Sequence, residues 1–120
     1  MISRRWLRGS VLFLALPLAA CHSAFVQATI NNNSGAAISD IQVDYPNASF
    51  GLNSIPDRSS FHYRFKILGS GKPHISFTDA SRKTHQADGP DLQEGQEGAL
   101  GISIEPGNQV TWQPKLSTNR

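Results

Sequence analysis

Ser60-Phe61-His62-Tyr63-Arg64-Phe65-Lys66-Ile67 alternates polar and apolar side chains without a break. Phe61, Tyr63, Phe65 and Ile67 fall on one side of the alternation, and His62, Arg64 and Lys66 on the other. Successive side chains of a β-strand point to opposite faces, so one register buries all four apolar residues and leaves the three cationic or titratable ones in water. On a helix the same aromatics would be scattered around the circumference. Residues 60–67 therefore read as a half-buried strand, and the four apolar side chains read as core.

The flanking sequence repeats this grammar. Before residue 60, Val26, Ala28 and Ile30 share one face of a first strand, ended by Asn31-Asn32-Asn33-Ser34-Gly35, whose Asn and Gly tolerate positive φ. Ile38 to Tyr45 makes a second strand with Ile41, Val43 and Tyr45 inward, Pro46-Asn47 breaks it, and Ala48 to Leu52 suits an edge strand. After residue 67, Gly69-Ser70-Gly71 turns the chain. Pro73 to Asp79 then returns with Ile75 and Phe77 inward, Pro73 being tolerable as a first strand residue. Arg82 to Gln86 suits another short strand, residues 87–98 a polar acidic loop, Ala99 to Glu105 a strand with Leu100, Ile102 and Ile104 inward, and Val110 to Trp112 a last one. The tail 114–120 is expected to fray. Seven or eight short strands with Gly, Pro and Asn turns, and no helical pattern after residue 21, predict an all-β fold. The expectation is a small antiparallel β-sandwich over residues 25–113, similar in architecture to immunoglobulin-like or transthyretin-like sandwiches. The cysteine pair and intervening tryptophan of antibody domains are absent.

The amino terminus obeys a different rule. Arg4, Arg5 and Arg8 precede an uncharged, mostly apolar run from Gly9 to Ala20, the layout of a secretory signal helix. A dozen residues interrupted by Pro17 fall short of the ~20 that a membrane-spanning helix needs. The run ends in Leu18-Ala19-Ala20-Cys21, which contains the sole cysteine of the chain. This tetrapeptide resembles the lipobox of bacterial lipoproteins. The resemblance covers residues 1–21 and implies cleavage between Ala20 and Cys21, a diacylglyceryl thioether on Cys21 and acylation of the new amino terminus. The acyl chains would then be the membrane anchor, with residues 21–24 a short tether. His22 stands where Asp commonly retains a lipoprotein in the inner membrane, so the resemblance favours the outer membrane, facing the periplasm. With Cys21 used by lipid, no disulfide is available to the domain.

Charge must be counted without the signal. Three of the eleven Lys and Arg residues lie in residues 1–20, which leaves eight against nine Asp and Glu from residue 21 onward. The basic balance belongs to the precursor, and a nucleic-acid reading built on it fails.

Four constellations bear on chemistry. The turn at Ser70 is expected to fold 60–67 back on 73–79, Lys66 opposite His74 and His62 opposite Thr78. That separates His62 from His74 by ~13 Å along the ladder, too far to share a zinc ion. The same pairing puts His62, Arg64, Lys66 and His74 on one outward face, a candidate surface for an acidic envelope protein, anionic headgroups or a cell-wall polymer. Asp88, Asp91, Glu94 and Glu97 recur every third residue without EF-hand spacing, a weak calcium pattern. Gly69-Ser70-Gly71 sits in a turn and is no nucleophile elbow, and no phosphate loop or dinucleotide fingerprint is present. The sequence thus predicts a lipid-anchored envelope sandwich with a non-catalytic binding or structural role and no cofactor. Two alternatives stay open at this point: an envelope enzyme or accessory subunit whose site is assembled from sequence-distant residues, and a calcium-dependent adhesion module.

Overall fold

The computed structural model describes residues 24–118; the signal segment 1–20, the cleavage position Ala20 and the lipidation position Cys21 lie outside the described residues. Within them the chain forms eight strands and no helix: β1 (Val26–Asn32), β2 (Ile38–Tyr45), β3 (Ala48–Ile55), β4 (Ser60–Phe65), β5 (His74–Thr78), β6 (Thr84–Asp88), β7 (Gln96–Glu105) and β8 (Gln109–Thr118). They build two four-stranded sheets, β4-β1-β7-β8 and β3-β2-β5-β6. All pairings are antiparallel except β1 with β7, which run parallel from Val26↔Gly98 to Asn32↔Ile104. The expected sandwich is thus the one that forms. Neither sheet has the ABED or CFG strand set of the immunoglobulin constant arrangement.

The core follows the alternation. Val26, Ala28 and Ile30 of β1, Leu100, Ile102 and Ile104 of β7, Ile41, Val43 and Tyr45 of β2, and Ile75 and Phe77 of β5 are all buried. Ile38 is buried as well, three positions before Ile41, which strict alternation forbids. A bulge reconciles them: the β2–β5 register shifts between Ser39 and Gln42, and Asp40 takes a φ of 49°. Aromatic rings close one side of the sandwich, where Tyr45 meets Phe65 at 4.1 Å and Phe50 lies over Tyr63 at 4.0 Å between ring centroids. Trp112 closes the other side. It projects inward from edge strand β8, and a Cβ built on Gly89 would come within 2.8 Å of both its indole and the Pro73 ring.

Three expectations about neighbours and boundaries need correction. Residues 60–67 and 73–79 do not form a hairpin: β4 pairs with β1 (Phe65↔Val26), whereas β5 lies in the other sheet between β2 and β6. Alternation specifies which side of a strand faces the core, not which strand occupies its edge, and here the two strands supply their apolar faces to one core from opposite sheets. The segment after Trp112 does not fray. It continues β8 with Pro114 opposite Leu100 and Leu116 opposite Gly98, because a proline costs nothing where its missing N–H would face the open side of an edge strand. The loop 87–98 is also shorter and less polar than expected, since β6 reaches Asp88, β7 starts at Gln96, and Leu92 is buried in a bridge to Gly71.

Asn32 ends β1 with its side chain fully buried and fully used. Its amide nitrogen donates to the carbonyls of Ala36 (2.8 Å) and Ile55 (3.0 Å), and its oxygen accepts from Ser34 N (3.1 Å) and Ser34 Oγ (2.7 Å). The β1–β2 loop and the end of β3 are tied to the core by one side chain. Asn32→Ala leaves buried carbonyls without donors and should cost ~2–4 kcal/mol, read as a fall in the urea midpoint at unchanged slope. Asn32→Asp should be at least as damaging at neutral pH, because a carboxylate would face carbonyl oxygens. Gly89→Ala should cost ~1–3 kcal/mol by overpacking against two rings.

Candidate functional site

The sandwich has two ends. The proximal end collects the start of β1, the turn at Pro46-Asn47, the β4–β5 connection, the β6–β7 connection and the end of β8. The distal end carries the loops 33–37, 56–59, 79–83 and 106–108. Ladder registers place Arg64, Gln27, Ala99 and Lys115 in one row across the outer face of the β4-β1-β7-β8 sheet, near the proximal end. Beside this row lies an open depression of about 470 Å³ lined by Phe25, Gln27, Arg64, Glu97, Gly98, Lys115 and Ser117.

Phe25 organises the cations of this surface. It precedes β1 on the outward side, and the Arg64 guanidinium carbon lies 4.3 Å and Lys66 Nζ 5.0 Å from its ring centroid. Cation–π contacts of this exposure are worth ~0.5–1 kcal/mol each, enough to bias two flexible side chains toward one location. Lys115 adds a third cation from β8, and Glu97 contributes a carboxylate at the edge of the depression.

The four residues singled out from sequence are therefore split. His62, Arg64 and Lys66 remain together, with His62 Nδ1 3.0 Å from Thr29 Oγ1 on the same outer face. His74 does not belong to that surface. It lies in the other sheet, where its Nδ1 is 2.7 Å from Asp88 Oδ1 and where Asp44 is its ladder partner on the opposite side. The expectation failed because it rested on the hairpin that does not form. Phe25, Gln27 and Lys115 join this surface without a pattern that singles them out: the first two look like ordinary strand residues, and Lys115 follows a proline in the expected tail. The strand that carries Lys115 does have a signal, since Val110, Trp112, Pro114 and Leu116 sustain the period-two pattern through the proline.

Each of the three described histidines has its own local partner, the third being His85 with Asp79. The acidic series is dispersed too: Asp88 is bound to His74, and Asp91 faces Lys72 at 3.4 Å. Among the described residues no three His, Cys, Asp or Glu side chains group so as to hold a metal ion. Asp79 is the most constrained of the carboxylates. Its side chain, 14 % exposed, accepts from His85 Nε2 at 2.7 Å and from the backbone N–H groups of Ser81 and Lys83, and so fixes the β5–β6 turn. His85 in turn stacks on Phe77 with 5.2 Å between centroids.

The hydrogen bond from His85, followed by the backbone donor of Lys83, holds the Asp79 carboxyl below the ordinary carboxylate range. A depressed value means that the folded state favours the charged form. The contribution is complete above the ordinary Asp value of ~3.9 and disappears as pH falls through the folded one. Asp79→Asn should therefore lower the melting temperature near neutrality, and the gap to the unsubstituted protein should narrow on acidification below pH ~4. A gap independent of pH would contradict this account.

Against known proteins, the fold is the level at which this chain is matched. No family model matches the sequence, and no curated protein matches it. A solved NMR structure of a protein from Eubacterium rectale superimposes with a TM-score of 0.54 at 13 % identity, over 74 % of this chain and 86 % of that one. Likeness at that identity concerns architecture alone, and the chain is similar to that protein as a sandwich of the same kind.

Proposed function

We propose that this protein is a lipid-anchored module of the bacterial cell envelope with a non-catalytic binding role. Its proximal cationic surface is the part that engages an anionic component of the envelope. The anchor reading draws on the lipobox resemblance at Leu18-Ala19-Ala20-Cys21 and on the brevity of the tether, since four residues from Cys21 to Phe25 reach at most ~14 Å. The observation that carries the binding role is the placement of Arg64 and Lys66 on the ring of Phe25, beside Lys115, at the end of the sandwich where the chain begins.

Segregation of charge strengthens the reading. Asp44 and Asp88 lie on the outer face of the β3-β2-β5-β6 sheet, while Arg64, Lys66 and Lys115 outnumber Glu97 around the depression of the opposite sheet. A local excess of cations on one face can orient a nearly neutral domain toward an anionic surface without a net positive charge. A catalytic role finds little in its favour. The only carboxylate–histidine pairs among the described residues are His74–Asp88, exposed on a sheet face, and Asp79–His85, occupied in holding a turn.

Two measurements test the proposal. Cys21→Ser should move the protein out of the membrane fraction, and intact mass of the unsubstituted protein should show acylation at Cys21; firm membrane retention of Cys21→Ser removes the anchor. A photo-crosslinker at Gln27, in the depression, should give adducts in intact envelopes, with a mass that tells lipid, polymer and protein apart. The same probe at Gln86, on the opposite sheet, should give few. Equal yields at both positions remove the surface.

A further inference from the structure

We infer that the proximal end docks directly on the bilayer that holds the anchor: Leu68 enters the interface, and Arg64, Lys66 and Lys115 lie against anionic phospholipid headgroups. The inference rests on the anchor reading above and names the partner of the cationic surface. It begins with a local constraint. Ile67 is buried, and its carbonyl accepts from Gly95 N at 3.2 Å, so the backbone at residue 67 is pinned to the β6–β7 connection. With Ile67 turned inward, its neighbours Lys66 and Leu68 turn outward. Asn47 Nδ2 donates to the Leu68 carbonyl at 2.9 Å and holds the tip from the other side.

Leu68 is 57 % exposed, the exposed large hydrophobic residue among the described side chains. A single exposed leucine is ordinary in itself. Its position is what matters. Val26 pairs with Phe65, so residues 66–68 extend beyond the start of β1, on the side from which the tether arrives. The tip is also held by hydrogen bonds on both sides, so inserting it requires little further ordering.

Lys66 flanks the tip on the side of the Phe25 surface, with Arg64 and Lys115 further along the same face. On the other side Lys72 is engaged by Asp91, and Glu94 follows in the same connection. Three cations against the one carboxylate of Glu97 therefore select a tilt: the β4-β1-β7-β8 face leans toward the membrane, and the acidic connection 89–95 and the opposite sheet, with Asp44 and Asp88, lean away. Each cation close to an anionic surface favours the docked pose by roughly fivefold. The lipid has already confined the domain to the membrane, so contacts too weak to recruit a free protein suffice to orient a tethered one.

The test uses the full chain, processed and purified from membranes. Leu68→Cys adds the one free thiol of a chain whose Cys21 is blocked as a thioether, and Ser81→Cys does the same at the distal end. Each is labelled with an environment-sensitive dye and reconstituted into vesicles of phosphatidylethanolamine with phosphatidylglycerol, or of phosphatidylcholine alone. Docking predicts blue-shifted emission and quenching by a bilayer-borne nitroxide at position 68 in the anionic vesicles, and neither at position 81. Adding Arg64→Gln, Lys66→Gln and Lys115→Gln should lower the ratio of docked to undocked domain by well over tenfold. An acylated protein whose dye at 68 is as water-exposed and as little quenched as at 81 overturns the docking and leaves the anchor standing. A chain that takes a second dye at Cys21, shows no acyl mass and fails to sediment with vesicles overturns both.

Discussion

The parallel pairing of β1 with β7 is the constraint on which the rest of the structure depends. It brings the first strand of the domain against one near its end, from Val26↔Gly98 to Asn32↔Ile104, while the other edge of β1 is taken by β4. Because β1 is central in its sheet, its inward residues Val26, Ala28, Ile30 and Asn32 are removed from water almost completely. Full burial of the larger aliphatic side chains is worth ~1.5–3 kcal/mol each, and that gain arrives only once both neighbours are present. Most of the chain must therefore be in place before β1 is stable. Such non-local pairing folds slowly, because the entropy of loop closure is lost before the compensating contacts can form.

The same pairing explains why the two sides of the sandwich are closed so differently. Between β4 and β3 the gap is filled by rings, with Phe50 lying over Tyr63 and meeting Phe61 at 6.2 Å. Between β8 and β6 it is filled by one large side chain, Trp112, seated against Pro73 and Gly89, with its Nε1 buried and without a hydrogen-bond partner. A buried N–H left unpaired is a cost, and the packing of the indole must outweigh it. Burial also reaches into the ring cluster. It pushes the Tyr45 phenol up to about 12, with the neighbouring Tyr63 hydroxyl acting in the same direction. Both sides are sealed by side chains from edge strands, which turns exposed edges into parts of the core.

Inward and outward assignment was legible in the sequence nearly everywhere, because alternation is a property of each strand taken alone. Phe61, Tyr63, Phe65 and Ile67 face inward as the pattern requires, and so do the predicted residues of β1, β2, β5 and β7. What alternation does not encode is adjacency. A chain passing from one sheet to the other through residues 66–73 has the same local pattern as one turning back in a hairpin, and the glycines at 69 and 71 suit either path. That ambiguity cost the candidate site His74 and concealed its relation to Phe25. Lys115 is hidden differently, because proline ends central strands but is compatible with an edge strand. Asp40 marks a third limit: a bulge that puts Ile38 and Ile41 on the same face has no signature beyond the two isoleucines themselves.

Adjacency also turns an ordinary composition into a directional object. Eight basic and nine acidic residues beyond the signal describe a nearly neutral chain, although residues 58–78 hold Arg58, Arg64, Lys66 and Lys72 and no acid. The sheet order brings Arg64 and Lys115 from two edge strands onto one face, with Lys66 just beyond the end of β4, and puts Asp44 and Asp88 on the other. Arg64 and Lys115 are far apart in sequence and belong to opposite edges of their sheet, yet they share a ladder row through Gln27 and Ala99. The depression beside that row also takes Glu97 from β7, so the surface that the ladder assembles sets a carboxylate among cations drawn from both edges of the sheet.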